Sequence, residues 1–370
     1  MNIKESLFNK ARELGADIMG IAPAALDAQS PGGPKDYERW LANGLNGGMG
    51  FLERGARQRE DIRAWFPEAR SVIMLGFSWP PRSVGDATGD KAAAADPGIG
   101  PAARGPMGRL AQYAVLPDYH EELRGRLKRL LDWFSHEACP GAKGKAFVDT
   151  SPVLERFYAR RAGLGWVGKN AMLVSKTLGC RFFLAGAAVD QELEPDVPVP
   201  DGCGGCTRCL SACPTQAFKN PRVLDASRCI GYLTVERRGK PLAEEGLRVR
   251  IQDRVFGCDA CTDACPCNQD ASQGIFHPLM NALQPLSELL ALDEASFDQR
   301  FAGTTVPRIG LPSMLCNALI AAANSNCREL LPAVQRLQEY PDSLVAQEAR
   351  LCAERLTRDP SEDPVENLIK

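Results

Sequence analysis

CGGCTRCLSACP, residues 203–214, places cysteines at offsets 0, 3, 6 and 10 and follows the last with Pro214. Bacterial two-cluster ferredoxins use this C-x2-C-x2-C-x3-C-P spacing, and the fourth cysteine of each run ligates the other cluster. CDACTDACP, residues 258–266, supplies the last three places of a second run, Cys258, Cys261 and Cys265, and then Pro266. Its first place falls on Val255, which has no donor atom. Cys229 is the only other cysteine between the two runs, and it takes the vacancy. The crossover rule then predicts two ligand sets. Cys203, Cys206, Cys209 and Cys265 form one, and Cys213, Cys229, Cys258 and Cys261 form the other. A pair of structural zinc sites is the alternative, because CxxC is also a zinc signature. The tight spacing and both prolines favour two 4Fe–4S clusters. Cys267 reads as a bystander, and Cys139, Cys180, Cys316, Cys327 and Cys352 read as small buried apolar residues.

Working outward, the chain has 370 residues, enough for two or three domains. Hydrophobic residues make up 44% and charged residues 24%, as in an ordinary soluble protein. The net charge of −2 excludes a generally polyanion-binding surface, so any nucleic-acid contact must be a local basic patch. No apolar run is long enough for a membrane span, and the start MNIKESLFNKARELGADIMGIA lacks the core of a signal peptide. Clustered cysteines in a chain of this kind imply a cytoplasmic protein whose thiols bind metal rather than pair as disulfides.

Residues 1–20 read as a helix with Ile3, Leu7, Ala11 and Leu14 on one face. SVIMLGFSW (71–79), KAFVDTS (145–151) and RFFLAGAAVD (181–190) read as strands, and 120–138 as a helix striped by Leu123, Leu127, Leu130, Leu131 and Phe134. Strands alternating with helices predict an α/β domain over residues 1–192. Within it, 80–108 is rich in Pro, Gly, Ala and Asp and reads as a flexible insertion. A ferredoxin-like domain follows over 193–275, and 276–370 is a helical cap with a repeat-like pattern and a frayed end.

FVDTSPVLERFYARRAGLGWVGKN (147–170) is the richest stretch outside the cysteine block. Asp149 falls at a strand end, where catalytic groups of such domains sit, and Pro152 is expected to open a helix. A plain N-cap is the other reading of Asp149. GLGWVGKN is a glycine-rich turn, but it is not GxGxxG and gives no argument for a nicotinamide cofactor.

The chain resembles the epoxyqueuosine reductases. The pieces that carry the resemblance are MGFLERGARQRED (49–61), YAVLPDYHEELRGRLKRL (113–130), VDTSPVLERFYARRAGLGWVGKN (148–170), the first cysteine run, CIGYLTVE (229–236), GCDACTDACP (257–266) and RIGLPSMLCNALIAAAN (308–324). They cover most of the chain in family order. The resemblance implies a cob(II)alamin held between the first domain and the cluster domain, reduced by one cluster so that the cobalt drives removal of an epoxide oxygen. Asp149 matches the family's proton donor, and such a donor is expected to have its pKa raised by burial. Arg54, Lys169, Asn170, Leu173 and Leu184 match positions that contact the corrinoid. The loop with Asp259 and Ala260 is expected to face it too. The implied partners are a tRNA anticodon stem-loop carrying epoxyqueuosine and a small ferredoxin- or flavodoxin-like donor, with no membrane and a monomeric chain. Arg124, Arg126, Lys128, Arg129, Arg156, Arg160, Arg161 and RRGK (237–240) are candidate RNA-backbone contacts or simply solvated faces.

The chain departs from the family pattern at Gln112, Gly231, Cys267, Pro307 and Cys316. Two other functions fit the cysteines. One is a corrinoid and iron–sulfur reductase of another substrate, such as an organohalide, although the twin-arginine signal usual there is absent. The other is a ferredoxin-like electron carrier, which would need neither cobalamin nor Asp149.

Overall fold

The computed structural model describes residues 2–25, 32–79, 105–268 and 274–358. The first helix, Ile3–Glu13, is capped by Asn2, whose side chain accepts from the Lys4 amide, and it buries Leu7 and Ala11. It stops short of the expected residue 20. Gly15 turns the chain at φ 84, and Ile18–Pro23 is a strand. The expected strand over 145–151 shortens likewise to Gly144–Phe147.

Four strands form the first sheet, in the order Ile18–Pro23, Ser71–Ser78, Phe182–Val189, Gly144–Phe147. Ile21 lies opposite Ile73, Ile73 opposite Ala187, and Ala146 opposite Ala187. Every pairing is antiparallel. Alternation of strands and helices along the chain therefore does not signal a parallel sheet here. All eight residues of Ser71–Ser78 are buried, so both faces of the sheet are covered. Ile73, Leu75 and Phe77 pack with Leu7, Leu123, Leu127, Leu130 and Phe134 from the helices on one face. Val72 and Met74 pack with Phe157, Tyr158 and Ala159 on the other. This period of two is what a strand between two apolar layers requires.

A second sheet joins distant segments. Met107–Leu110 pairs in parallel with Arg254–Phe256 and antiparallel with Leu283–Pro285. Met107 and Gly108, at the end of the expected insertion, are thus strand residues, while 80–104 lies outside the described residues. Leu110, Ala114 and Val115 share one core with Val255, Phe256 and the C-terminal helices through Leu356. Those helices are Leu286–Leu289, Glu294–Arg300, Leu311–Ser325, Leu331–Leu337 and Ser343–Thr357. Leu311–Ser325 is apolar on nearly every face and is accordingly central. Its Asn317 donates to the carbonyls of Thr234 (2.8 Å) and Val255 (2.9 Å), tying it to the cysteine block. The expected frayed end, 361–370, lies outside the described residues. No described helix is long and apolar enough to cross a membrane.

Candidate functional site

The cysteine block carries little regular structure. Cys203 and Cys206 lie on a tight turn, Cys209 on the short helix Arg208–Ser211, and Cys261 on the short helix Ala260–Asp263. Cys229 is the N-cap of helix Ile230–Val235, where amide groups favour a thiolate. Burial lifts the Cys229 thiol, and the Tyr232 and Gly231 amides pull it back. Val255 is wholly buried in the C-terminal core.

The thiols act on one another electrostatically, both within the two expected sets and across them, since Cys209 also bears on Cys261. Burial raises Cys261 well above its ordinary value, and Cys258, Cys229 and Cys213 add to the rise ahead of Cys209. Burial also raises Cys209, with Cys203 and Cys265 as its thiol neighbours. Cys267 is pushed up to about 11 by burial and by Cys265, Cys203 and Cys206. It therefore sits beside the first set rather than apart from it. Among the described residues, no three His, Cys, Asp or Glu side chains converge on a single-ion site.

Asp149 lies on the turn that leaves strand Gly144–Phe147, at φ 48. A left-handed conformation is strained for a side-chain-bearing residue, although Asp tolerates it better than most. The expected helix at Pro152 starts instead at Glu155, with Leu154 as its N-cap, so Asp149 does not cap it. The link between turn and helix runs the other way, as the Asp149 amide donates to Glu155 Oε1 at 2.5 Å.

Asp149 Oδ2 is 3.1 Å from His120 Nε2, and His120 Nδ1 is 2.6 Å from Asp118 Oδ1. Arg308, from the C-terminal segment, brings Nη1 within 3.1 Å of the same His120 Nε2. Tyr119 stacks between His120 and Phe183, each at 4.1 Å, and Phe183 packs on Trp79 at 4.3 Å. The Asp149 side chain keeps 52% of its surface open.

The expectation that burial raises the Asp149 pKa is not met. Burial does push it up, but the hydrogen bond and charge of His120, the charge of Arg308 and the Tyr119 hydroxyl bring it below its ordinary value. The raised groups are its neighbours. Burial and the Asp149 charge push Glu155 up to about 8. Burial pulls His120 down, yet its bonds to Asp118 and Asp149 leave it above its ordinary value. Sequence reasoning missed His120, Glu155, Arg308 and Tyr119. All four lie inside the quoted family stretches, and only the fold brings them to Asp149.

The cluster loop meets this site. Asp259 Oδ2 accepts from the Gln112 amide at 2.8 Å. Burial lifts the Tyr113 hydroxyl, and the charges of Asp259 and Asp149 lift it further, so both acids act on one tyrosine. Gly257, at φ 69, passes so close that an added Cβ would lie 2.6 Å from Ala111 Cβ. Two buried polar atoms of this region, Gln112 Oε1 and Trp79 Nε1, have no partner among the described residues. Unpaired buried polar groups are costly, so they fit a polar-rimmed cofactor in the junction.

The remaining expected contacts separate. Arg54 is exposed and has no ion pair with a described residue. Leu184 is partly buried at the edge of a core, whereas Leu173 is 3% exposed inside it. The expected corrinoid contacts Lys169 and Asn170 also reach the cysteine loops. Lys169 Nζ donates to Gly204 O at 2.7 Å, and Asn170 Nδ2 lies 3.5 Å from Cys261 O. Of the basic candidates, Arg126 holds Glu122 and Leu14 O, Arg161 holds the Pro23 and Ala25 carbonyls, and Lys128 pairs with Asp132. Arg124 stays near the cleft, bonded to Thr150 Oγ1 at 3.0 Å.

Known proteins share these parts. Residues 202–268 match a 4Fe–4S double cluster binding domain, and 59–150 match the epoxyqueuosine reductase QueG domain. An epoxyqueuosine reductase of Synechocystis sp. is 37% identical over 80% of this chain and 97% of its own. One from Pseudomonas aeruginosa is 35% identical over 93% and 91%. The structure of an epoxyqueuosine reductase with an epoxyqueuosine-modified tRNA-Tyr stem loop superposes with a TM-score of 0.81 at 27% identity, over 99% of this chain and 96% of that one. The Bacillus subtilis enzyme, solved with its catalytic aspartate loop swung out of the active site, gives 0.82 at 27% identity, over 99% and 96%.

Proposed function

This chain belongs to the epoxyqueuosine reductase family, and on that premise we propose that it reduces epoxyqueuosine to queuosine at the wobble position of tRNA. Removing an epoxide oxygen as water takes two electrons and two protons. The observation that carries the reading is that the electron-carrying loop packs on residues 111–113, with Asp259 accepting from the Gln112 amide and Gly257 close to Tyr113, whose hydroxyl also feels the charge of Asp149.

The double-cluster domain holds two 4Fe–4S clusters. We assign Cys203, Cys206, Cys209 and Cys265 to one, and Cys213, Cys229, Cys258 and Cys261 to the other. Arg54, Asp149, Lys169, Asn170, Leu173, Leu184, Asp259 and Ala260 are the residues we assign to a cob(II)alamin in the junction, and Gln112 Oε1, unpaired among the described residues, adds Gln112 to them. When bound and reduced, that group supplies a cobalt able to deliver electrons to the epoxide. Asp149 is the proton donor at the departing oxygen. Because it is ionised at rest, it is reloaded from its hydrogen-bond partner His120, and neutral Glu155 keeps a second anion away from it. The open face of Asp149 leaves room for a base turned out of an RNA loop. A small ferredoxin- or flavodoxin-like donor, a monomeric chain and a cytoplasmic location complete the proposal.

The test is nucleoside analysis of tRNA from a strain lacking the gene. Accumulated epoxyqueuosine without queuosine is the expected result, and a normal queuosine level overturns the reading. Cobalamin retained by the anaerobically purified chain separates this function from that of a simple electron carrier.

A further inference from the structure

We infer that the indole N–H of Trp166 tunes the cluster assigned to Cys203, Cys206, Cys209 and Cys265, an inference that rests on the two-cluster reading. It also gives the glycine-rich turn GLGWVGKN a role. Trp166 is 7% exposed and lies in a two-stranded ribbon, Trp166–Val167 against Leu173–Val174. Its Nε1, the only polar atom of the side chain, donates to Cys203 Sγ at 3.3 Å. Val174 and Cys180 pack around the indole, and Cys203, Cys265 and Cys267 close over it.

The approach is built from both sides. An added Cβ on Gly202 would lie 2.6 Å from the Trp166 ring, so a glycine just before Cys203 lets the loop pass over the indole. Lys169 Nζ holds Gly204 O on the far side of Cys203. Arg222 donates through Nε to Val167 O and through its amide to Lys169 O, each at 2.9 Å. The Arg222 guanidinium also pairs with Asp201, whose Oδ1 accepts the Cys203 amide at 2.9 Å. The turn and the cysteine loop are thus clasped on three sides of one N–H···S bond.

A donor aimed at a ligand sulfur favours the reduced cluster, which carries one more negative charge, and so raises its potential. The Ala217 amide makes a bond of the same kind to Cys213 Sγ, at 3.3 Å, in the other set. That donor is backbone, whereas the one to Cys203 is a side chain that can be exchanged.

The experiment is an EPR-monitored redox titration of the anaerobically reconstituted full chain and its Trp166→Phe variant, with iron counted in both. The variant should keep about eight irons, the content of two 4Fe–4S clusters. One midpoint should move to more negative potential, and the other should stay. Two unchanged midpoints overturn the inference. So does loss of four irons in the variant alone, since Trp166 would then act by packing. If the variant does not fold, the native chain with 15N-indole tryptophan decides. A nitrogen hyperfine coupling to one reduced cluster supports the bond, and none refutes it. An iron content far below eight in the native chain overturns the two-cluster reading instead.

Discussion

Asp149 occupies a strained backbone, an open cleft and a pair of hydrogen bonds that favour its anion. Its identity as a candidate was legible from its place after a strand, but its protonation state was not. That state depends on His120, 29 positions earlier, and on Arg308 from the C-terminal segment. Asp149→Asn should retain both clusters and lower turnover by about 10²- to 10⁴-fold, the usual worth of a positioned proton donor. Initial rates of epoxyqueuosine loss, read beside iron content, check it, and an unchanged rate removes Asp149 from the chemistry.

Glu155 gives the pH counterpart. Its folded pKa of about 8 stands above its ordinary 4.5, so its contribution to stability is complete below about 4.5 and lost as pH rises through 8. The unfolding temperature of Glu155→Gln should therefore gain on that of the native chain between pH 5 and pH 8. Asp149 and Asp118 have lowered values, which act only in the acid range and are shared by both proteins. A gap that does not widen with pH excludes a neutral Glu155.

At the scale of elements, the second cysteine run shows how far spacing reaches. Counting positions left Val255 without a ligand and nominated Cys229, and the fold places Cys229 at the head of helix Ile230–Val235 with Cys213 as a thiol neighbour. What spacing could not reveal is why Val255 is apolar. Its strand is paired with Met107–Leu110, and its side chain belongs to the C-terminal core. Cys229→Ala should lower iron from about eight toward four per chain, the content of a single 4Fe–4S cluster. A variant that keeps about eight irons rejects the ligand assignment. Element ends were less legible. Helix Ile3–Glu13 stops early because of Gly15, and the helix after Asp149 starts late because the Asp149 turn occupies the preceding residues.

At the scale of the whole molecule, the C-terminal helices are built into the cluster domain. Arg248, on helix Glu245–Ile251, pairs with Glu348 on Ser343–Thr357, with side chains only 8% and 5% exposed. Glu348→Ala would leave the buried Arg248 guanidinium with only the more exposed Glu245 and the Leu242 carbonyl, and should cost about 1–3 kcal/mol of stability. Urea unfolding checks it, and a loss under 1 kcal/mol would mean the pair is solvated.

By itself the sequence determined the double 4Fe–4S character of residues 202–268, because cluster ligation depends on thiols at short spacings, and local spacing is written directly in the chain. It determined the buried central strand and the striped helix for the same reason, since periodicity is local. Only the tertiary structure decided strand direction, the sharing of one core by residues 110–115 and the C-terminal helices, and the meeting of Asp149, His120 and Arg308. Those follow from packing between segments that are not neighbours in the chain, His120 standing 29 positions from Asp149 and 188 from Arg308, and no short pattern encodes which distant surface a segment will cover.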